Sequence, residues 1–254
     1  MIQIEQFSKR YGSFWAVKDL DLHVKRGEVF GFLGPNGAGK TTTMKVMVGL
    51  VRPTAGRIRV GGLDVVRDPI RAKQIVGYIP DRPYLYEKLT AEEFLAFTAG
   101  IYGLDYKQQT KRADELLHMF GLEDWRAELV ESYSHGMKQR LTMAAALLHR
   151  PELLVVDEPM VGLDPQGAEL VKGLFRRIST ELGGTVFLST HTLEVAEELC
   201  DRVAILYKGA IVAQGTMDEL RAQVGDDGSG HLHELFMRLT GGDDAYPRIE
   251  DVKL

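Results

Sequence analysis

One segment, Gly34-Pro35-Asn36-Gly37-Ala38-Gly39-Lys40-Thr41, gives the first indication of how this chain folds. It has the pattern G-x-x-x-x-G-K-[ST], in which backbone N–H groups surround phosphate oxygens and a lysine reaches the terminal phosphates. An apolar run at 29–33 precedes the segment, and a helical pattern that includes Met44 and Met47 follows it. The alternative is a glycine-rich turn that binds nothing. The strand–loop–helix order instead predicts a site for a nucleoside triphosphate.

The residue types of this loop suggest individual roles. Glycines at 34, 37 and 39 would permit backbone angles that strain other residues, and Lys40 would supply a mobile charge for the terminal phosphates and assist catalysis. The hydroxyl of Thr41 is a suitable ligand for Mg²⁺. We therefore expect ATP to contact nine consecutive residues: Gly34, Pro35, Asn36, Gly37, Ala38, Gly39, Lys40, Thr41 and Thr42.

Two carboxylates, Asp157 and Glu158, follow the apolar run at 153–156. Ligands of open α/β sheets bind at the carboxyl ends of the strands, so this strand should bring both acids close to the phosphate loop. We expect Asp157 to hold Mg²⁺ and Glu158 to orient and deprotonate the attacking water. The alternative is an ordinary solvated acidic turn.

A histidine, His191, follows another apolar strand in the same way. Such a residue is usually a hydrogen-bonding strand cap. Its placement parallel to Asp157 and Glu158 favours a catalytic group that reaches the γ-phosphate or the water.

The hydrophobic pattern predicts an α/β fold. Alternating apolar residues near the amino terminus indicate an antiparallel β-subdomain, and continuous apolar runs at 29–33, 76–79, 153–156 and 186–188 indicate a mostly parallel sheet. We predict an ATP-binding domain at 1–224 with an inserted helical subdomain at about 82–149. A linker and short helical tail at 225–254 would follow.

The composition limits which partners and which cellular compartments are compatible with this chain. Lys and Arg total 31 against 36 Asp and Glu, for a formal net charge of -5, which disfavours a nucleic-acid partner. A single cysteine, Cys200, leaves no intramolecular disulfide and fits a reducing compartment. No apolar run approaches the roughly 18 residues that span a bilayer. We expect a soluble intracellular chain unless a partner holds it at a membrane.

Taken in order, these motifs resemble the ATP-binding subunit of ABC transporters over about residues 1 to 220. Tyr133-Ser134-His135-Gly136-Met137-Lys138-Gln139-Arg140 is similar to the family signature, usually Leu-Ser-Gly-Gly-Gln, and precedes a helix. Gly162-Leu163-Asp164 resembles the loop that bridges two subunits, and His191 the switch histidine. Tyr11 lies where the family stacks an aromatic ring on adenine.

The resemblance implies an ATP-driven, Mg²⁺-dependent dimer in which two subunits face head to tail. Each ATP would lie between one phosphate loop and the signature of the partner, which corresponds here to Ser134, His135, Gly136 and Met137. Asp164 would belong to the dimer loop, and a complete set of motifs permits a homodimer. Taken alone, Ser134 is also a suitable helix cap.

Two departures from the family pattern concern the signature and the metal site. His135 and Met137 stand where the commoner signature has Gly and Gln. Asp81 follows the strand at 76–79 where the family usually has Gln or sometimes Glu. Asp81 is therefore either a metal ligand, acting through water, or a loop acid without a ligand role.

The resemblance also implies separate membrane subunits, with this chain cytoplasmic and peripheral to the inner face of the cell membrane. A groove beside Tyr84, Leu85 and Tyr86 would receive a short helix of the membrane subunit. The segment 233–241 resembles a tail common in exporters, so export of an unidentified solute is favoured. The alternative is a soluble ABC ATPase that serves cofactor assembly or another non-transport process.

Overall fold

The computed structural model describes residues 1–222 and Phe236. Its strands are β1 (Ile2–Tyr11), β2 (Phe14–Val24), β3 (Val29–Leu33), β4 (Ala55–Val60), β5 (Leu63–Asp64), β6 (Val76–Ile79), β7 (Leu153–Asp157), β8 (Thr185–Thr190), β9 (Arg202–Tyr207) and β10 (Ala210–Gly215). Its α-helices are α1 (Lys40–Met47), α2 (Pro69–Gln74), α3 (Ala91–Ile101), α4 (Tyr106–Met119), α5 (His135–Leu147), α6 (Pro165–Thr180), α7 (Leu193–Leu199) and α8 (Met217–Ala222).

The larger sheet has the strand order β10-β9-β3-β8-β7-β6. Its strands run parallel except for β10, which forms an antiparallel hairpin with β9. Every residue of β3, β7 and β8 is buried, as expected of strands covered on both faces. The predicted mostly parallel sheet is confirmed, and its carboxyl edge positions the site described below.

The smaller sheet has the order β2-β1-β4-β5 and is antiparallel throughout. Ile2, Ile4 and Phe7 of β1 point into a core that also contains Met44 and Met47 of α1. The alternating pattern therefore forms the amino-terminal antiparallel subdomain that the sequence predicts.

Three helices, α3, α4 and α5, lie between β6 and β7. A capping box of Thr90 and Glu93 begins α3, as the spacing of these residues predicts. The helical residues of α5 begin at His135, because Ser134 is the N-cap and accepts a hydrogen bond from the Met137 N–H. The boundaries of the helical subdomain and of the domain at 1–224 stay predictions.

The predicted linker and tail at 225–254 lie outside the described residues, apart from Phe236. The side chain of Phe236 is buried in a cluster with Leu33, Leu193, Val203 and Leu220. This position of the tail therefore packs against the chain's own core. Among the described residues, no helix has the length and apolar character needed to cross a bilayer.

Candidate active site

The phosphate loop connects β3 to α1, and its shape requires glycine for two different reasons. Gly37 and Gly39 have φ of +81° and +110°, in the left-handed region that strains other residues. Gly34 does not have a positive φ, but a Cβ there would lie 2.3 Å from the carbonyl oxygen of Leu206. Close backbone approach, rather than an unusual angle, therefore requires glycine at position 34.

Lys40, the first residue of α1, extends its side chain back along the loop. Its Nζ donates hydrogen bonds to the carbonyl oxygens of Gly34 (2.6 Å) and Pro35 (3.2 Å) and lies 3.7 Å from Glu158 Oε1. Burial lowers the pKa of Lys40, and the nearby carboxylates of Glu158 and Asp157 oppose that shift. The ammonium group thus stands between the loop and the two acids.

Asp157, the last residue of β7, is 1% exposed. Its Oδ1 accepts a hydrogen bond from the Ser189 hydroxyl at 2.5 Å, whereas its Oδ2 is buried and has no hydrogen-bond partner among the described residues. A buried carboxylate oxygen without a donor is costly unless a cation binds it. This oxygen is therefore suited to a hard divalent cation.

Glu158 adopts a left-handed backbone conformation with φ of +52°. Consecutive residues of a regular strand point to opposite faces, but this turn allows Glu158 and Asp157 to line the same cavity. The Glu158 N–H donates to the Ser189 hydroxyl at 3.2 Å, and Glu158 Oε2 lies 3.0 Å from Nδ1 of His191. The left-handed conformation of Glu158 therefore brings two carboxylates and one imidazole together at the carboxyl edge of the sheet.

A cavity of about 310 Å³ brings most of the predicted nucleotide and metal residues together. It is lined by Tyr11, Phe14, Ala16, Pro35, Asn36, Gly37, Gly39, Lys40, Thr41, Thr42, Asp81, Asp157 and Glu158. Asp81 is therefore placed close enough to the site for either of its expected roles. The cavity has aromatic residues of the smaller sheet on one side and the phosphate loop and the acids on the other.

Phe14 also lines this cavity, although its sequence context did not identify it as a site residue. It pairs directly with Tyr11 across the turn between β1 and β2, and its side chain is 64% exposed. Phe14 follows Tyr11 after only Gly12 and Ser13, and a tight turn there would pair the two aromatic residues. A base could stack on either ring.

The signature residues Ser134, His135, Gly136 and Met137 are not among the residues that line this cavity in the described chain. The imidazole of His135 lies against Gly162, where an added Cβ would be 2.3 Å from His135 Cδ2. The signature turn therefore contacts the loop that carries Asp164.

Asp164 has a local structural role. Its Oδ1 accepts a hydrogen bond from the Gly167 N–H at 2.8 Å and thereby caps α6. This contact accounts for an acid at position 164 without reference to a second subunit.

The aromatic segment after Asp81 divides between two environments. Tyr84 is 80% exposed and lines, with Leu85, Lys45 and Lys73, a groove of about 420 Å³. Tyr86 is also exposed but packs edge-on against Phe97, with ring centroids 5.3 Å apart, and does not line this groove. Two of the three residues expected at a docking groove therefore lie there.

The sequence pattern of the ABC transporter family matches residues 17–161. The chain belongs to the ABC transporter family. It is similar to the linearmycin resistance ATP-binding protein LnrL of Bacillus subtilis, with 42% identity over 227 residues that cover 89% of this chain and 73% of LnrL. It is 39% identical over 227 residues to the probable multidrug ABC transporter ATP-binding protein YbhF of Escherichia coli, covering 89% of this chain but 39% of that longer protein.

Two solved structures support the same assignment. An ATP-binding subunit of an ABC transporter superposes with a TM-score of 0.87 at 36% identity, covering 94% of this chain and 99% of the other. The ATP-binding cassette MJ0796, in a dimeric post-hydrolysis state bound to ADP and Pi, superposes with a TM-score of 0.78 at 26% identity, covering 85% of this chain and 99% of the other. As a member of the ABC transporter family, this ATP-binding subunit hydrolyses ATP to drive transport through separate membrane subunits.

Proposed function

We propose that this ABC subunit pairs with a second copy of itself, hydrolyses ATP at the shared interface and drives export of a solute. The observation that carries the catalytic part is the single cavity shared by Tyr11, the phosphate loop, Asp157 and Glu158. In that cavity an adenine ring would stack on Tyr11 while the phosphates enter the loop. Lys40 would exchange its contacts with loop carbonyls for contacts with phosphate oxygens.

Mg²⁺ would be held by the Thr41 hydroxyl and Asp157. The unpartnered Oδ2 of Asp157 supports this placement, because a hard oxygen anion is the type of ligand that Mg²⁺ prefers. Asp81 would contribute through a water molecule, since it lines the same cavity. When bound, the ion would neutralise charge on the phosphate oxygens.

Glu158 would accept a proton from the attacking water. The water oxygen would form a bond to the γ-phosphorus while the bond to the ADP oxygen breaks, so that ADP and phosphate are released. His191 would hold the Glu158 carboxylate in position and reach the γ-phosphate, which agrees with its distance of 3.0 Å from that carboxylate. The two side chains would therefore act together on the water and the phosphate.

The signature of the second copy would complete the site. The Ser134 hydroxyl and the N–H groups at the amino end of α5, including that of Gly136, would point toward the γ-phosphate of the partner, where the positive end of the helix dipole favours an anion. His135 and Met137 would flank this contact, and Asp164 would face the second copy. Loss of the γ-phosphate on hydrolysis would release both halves.

The groove lined by Tyr84 and Leu85 would receive a short helix of the membrane subunit. This chain would then lie at the inner face of the cell membrane. Export is supported by LnrL, whose name records linearmycin resistance. The tail at 233–241, apart from Phe236, lies outside the described residues and supports export through its sequence alone.

The variant Glu158→Gln tests the catalytic proposal. It should reduce ATP turnover by about 10²- to 10⁴-fold while ATP binding is retained, so that an ATP-bound dimer accumulates in size-exclusion chromatography. The exposed Glu194→Gln is the matched control and should hydrolyse ATP at the normal rate. Normal turnover in Glu158→Gln would remove Glu158 from its role.

Co-purification from detergent extracts tests the transporter proposal. The wild-type chain should bring membrane proteins with it, and Tyr84→Ala should bring fewer, while Phe14→Ala, at the nucleotide cavity, should bring the same amount. Recovery of soluble partners only would favour an assembly ATPase over a transporter. Equal recovery with Tyr84→Ala would place the membrane contact elsewhere on the chain.

A further inference from the structure

A second large crevice lies at the end of the central sheet opposite the nucleotide cavity. Its volume is about 640 Å³, and it is formed by α4, the segment from α5 to β7, and the carboxyl end of α6. Glu152, just before β7, lines this crevice, whereas Asp157, at the other end of β7, lines the nucleotide cavity. Because strands rise about 3.3 Å per residue, the two sites are roughly 16 Å apart along the strand.

The walls of the crevice are apolar. Seven side chains form this surface: Met119, Leu147, Pro151, Leu154, Leu174, Ile178 and Leu182. Leu147, Leu154, Leu174 and Ile178 belong to the core, but Leu182 is 68% exposed. A crevice of this size, within the range of about 300–1,000 Å³ typical of ligand sites, offers apolar surface that an apolar molecule could cover.

The rim is strongly basic in a chain with a formal net charge of -5. Four arginines and one carboxylate line the crevice: Arg26, Arg112, Arg150, Arg177 and Glu152. An adjoining cavity of about 430 Å³ shares Arg112 and Arg150 and adds Lys111 and Glu115. Across the two cavities, cations therefore outnumber carboxylates, and an anion would be attracted to them.

Several of these cations already have carboxylate partners. Arg26 lies 2.6 Å from Glu152, Arg112 lies 3.1 Å from Glu115, and Arg177 lies 2.9 Å from Glu181.

Arg150 differs, because within residues 1–222 it has no carboxylate partner. Arg112 Nε is buried without a hydrogen-bond partner in the same part of the chain. Nη1 of Arg112 is paired with Glu115 and its Nε is buried, but its Nη2 has no hydrogen-bond partner among the residues that the structure describes. The guanidinium of Arg150 and Nη2 of Arg112 thus remain available where the two cavities meet.

We propose that this crevice binds a small amphipathic anion, a molecule with an apolar body and one carboxylate or phosphate group. The head group would bind Arg150 and Arg112, and the apolar body would cover Leu182 and the buried leucines behind it. A cationic amphiphile would meet repulsion at the rim, and inorganic phosphate would leave the apolar wall uncovered. The bound anion would contact both α4 and α6 and so connect the helical insertion to the core.

Isothermal titration of the full chain tests this site. Sodium decanoate and decyl phosphate serve as anionic probes, decyltrimethylammonium as the charge control, and inorganic phosphate as the probe without an apolar body. At least one anionic probe should bind with one-to-one stoichiometry, and both control compounds should bind at least about tenfold more weakly. Whichever of decanoate and decyl phosphate has the higher affinity shows whether the preferred head group is a carboxylate or a phosphate.

Two variants localise the binding. Arg150→Gln and Arg112→Gln should each weaken the tighter anionic probe by about tenfold or more, since each loses a charge-assisted contact. Arg52→Gln, an exposed arginine outside both cavities, is the matched control and should bind as the wild type does. Equal binding of decyltrimethylammonium, or unchanged affinity in both Arg150→Gln and Arg112→Gln with circular dichroism confirming their folding, would overturn the proposal.

Discussion

Nδ1 of His191 lies 3.0 Å from Oε2 of Glu158, while Nζ of Lys40 lies 3.7 Å from the other oxygen of the same carboxylate. The carboxylate is therefore held between a group that follows β8 and one that begins α1. Its orientation is set by two neighbours from separate parts of the chain. A water molecule bound beside the Glu158 carboxylate would contact an oxygen that is already correctly oriented. Rapid proton transfer requires such an orientation.

Removal of the imidazole should slow hydrolysis without preventing nucleotide binding. We expect His191→Ala to reduce single-turnover ATP hydrolysis by about 10²-fold, because Glu158 loses one of the contacts that orient it. ATP affinity, measured by equilibrium titration, should change little. His118→Ala removes an exposed histidine remote in sequence from the site and should leave the rate unchanged. A normal rate in His191→Ala would contradict the positioning role.

The lysine of the phosphate loop should matter mainly for affinity. Lys40→Ala removes the ammonium that we place against the terminal phosphates, so the affinity for ATP should fall by roughly 10- to 100-fold. Titration with a fluorescent ATP analogue measures the change. Lys45→Ala, an exposed lysine on the same helix, should bind as tightly as the wild type. Equal affinity of Lys40→Ala and Lys45→Ala would show that Lys40 does not contact the nucleotide.

The contact between His135 and Gly162 predicts a non-additive pair of substitutions. Gly162→Ala should lower the free energy of unfolding by about 1–3 kcal/mol, because φ at Gly162 is +78° and a Cβ would meet the imidazole. In a His135→Gly background the steric conflict is absent, so the same substitution should cost less. Denaturant unfolding of the two single variants and the double variant gives the coupling free energy. Strictly additive costs would show that the two residues are not in contact in solution.

His149 should make the fold less stable in mild acid. Its ring stacks on Tyr102 with centroids 3.7 Å apart, its Nε2 lies 3.0 Å from the Val76 carbonyl oxygen, and its Nδ1 is buried without a partner in the described chain. Burial lowers the pKa of His149 below its ordinary 6.5, and the hydrogen bond to Val76 partly opposes this. Below about pH 7 the unfolded chain therefore binds more protons than the folded one, and stability falls as the pH falls.

The variant His149→Phe keeps an aromatic ring for the stack but cannot titrate. Between pH 7 and pH 5 the free energy of unfolding should decrease less in this variant than in the wild type. The difference between the two slopes should be at most about 1.4 kcal/mol per pH unit. Urea unfolding at a series of pH values measures both slopes, and comparison with the wild type removes the contributions of the other histidines. Parallel pH profiles would mean that His149 is not buried as a neutral ring.

The carboxyl edge of the central sheet could be predicted from sequence because its parts are local. The pattern around Gly34–Thr41 specifies a strand, a loop and a helix in immediate succession. Asp157 is the last residue of one buried strand, and His191 directly follows another. Parallel strands place such residues along one edge. Each inference needed a stretch of sequence shorter than about a dozen residues, together with one rule of sheet topology.

Contacts between distant segments could not be predicted in this way. The hydrogen bond from Ser189 to Asp157 and the packing of His135 on Gly162 depend on how separate loops meet. The basic crevice is still less visible in the sequence, because Arg26, Arg112 and Arg177 belong to three distant elements. Only the folded arrangement brings these guanidinium groups together.

The left-handed backbone of Glu158 lowers the stability of the fold at the same residue whose carboxylate is proposed to act in ATP hydrolysis. A non-glycine residue with φ of +52° carries conformational strain of about 1 kcal/mol or more. Glycine would relieve that strain, yet it would remove the carboxylate that activates water. Selection for a more stable fold and selection for faster ATP hydrolysis therefore favour different residues at position 158. A screen for thermal stability alone would enrich inactive variants.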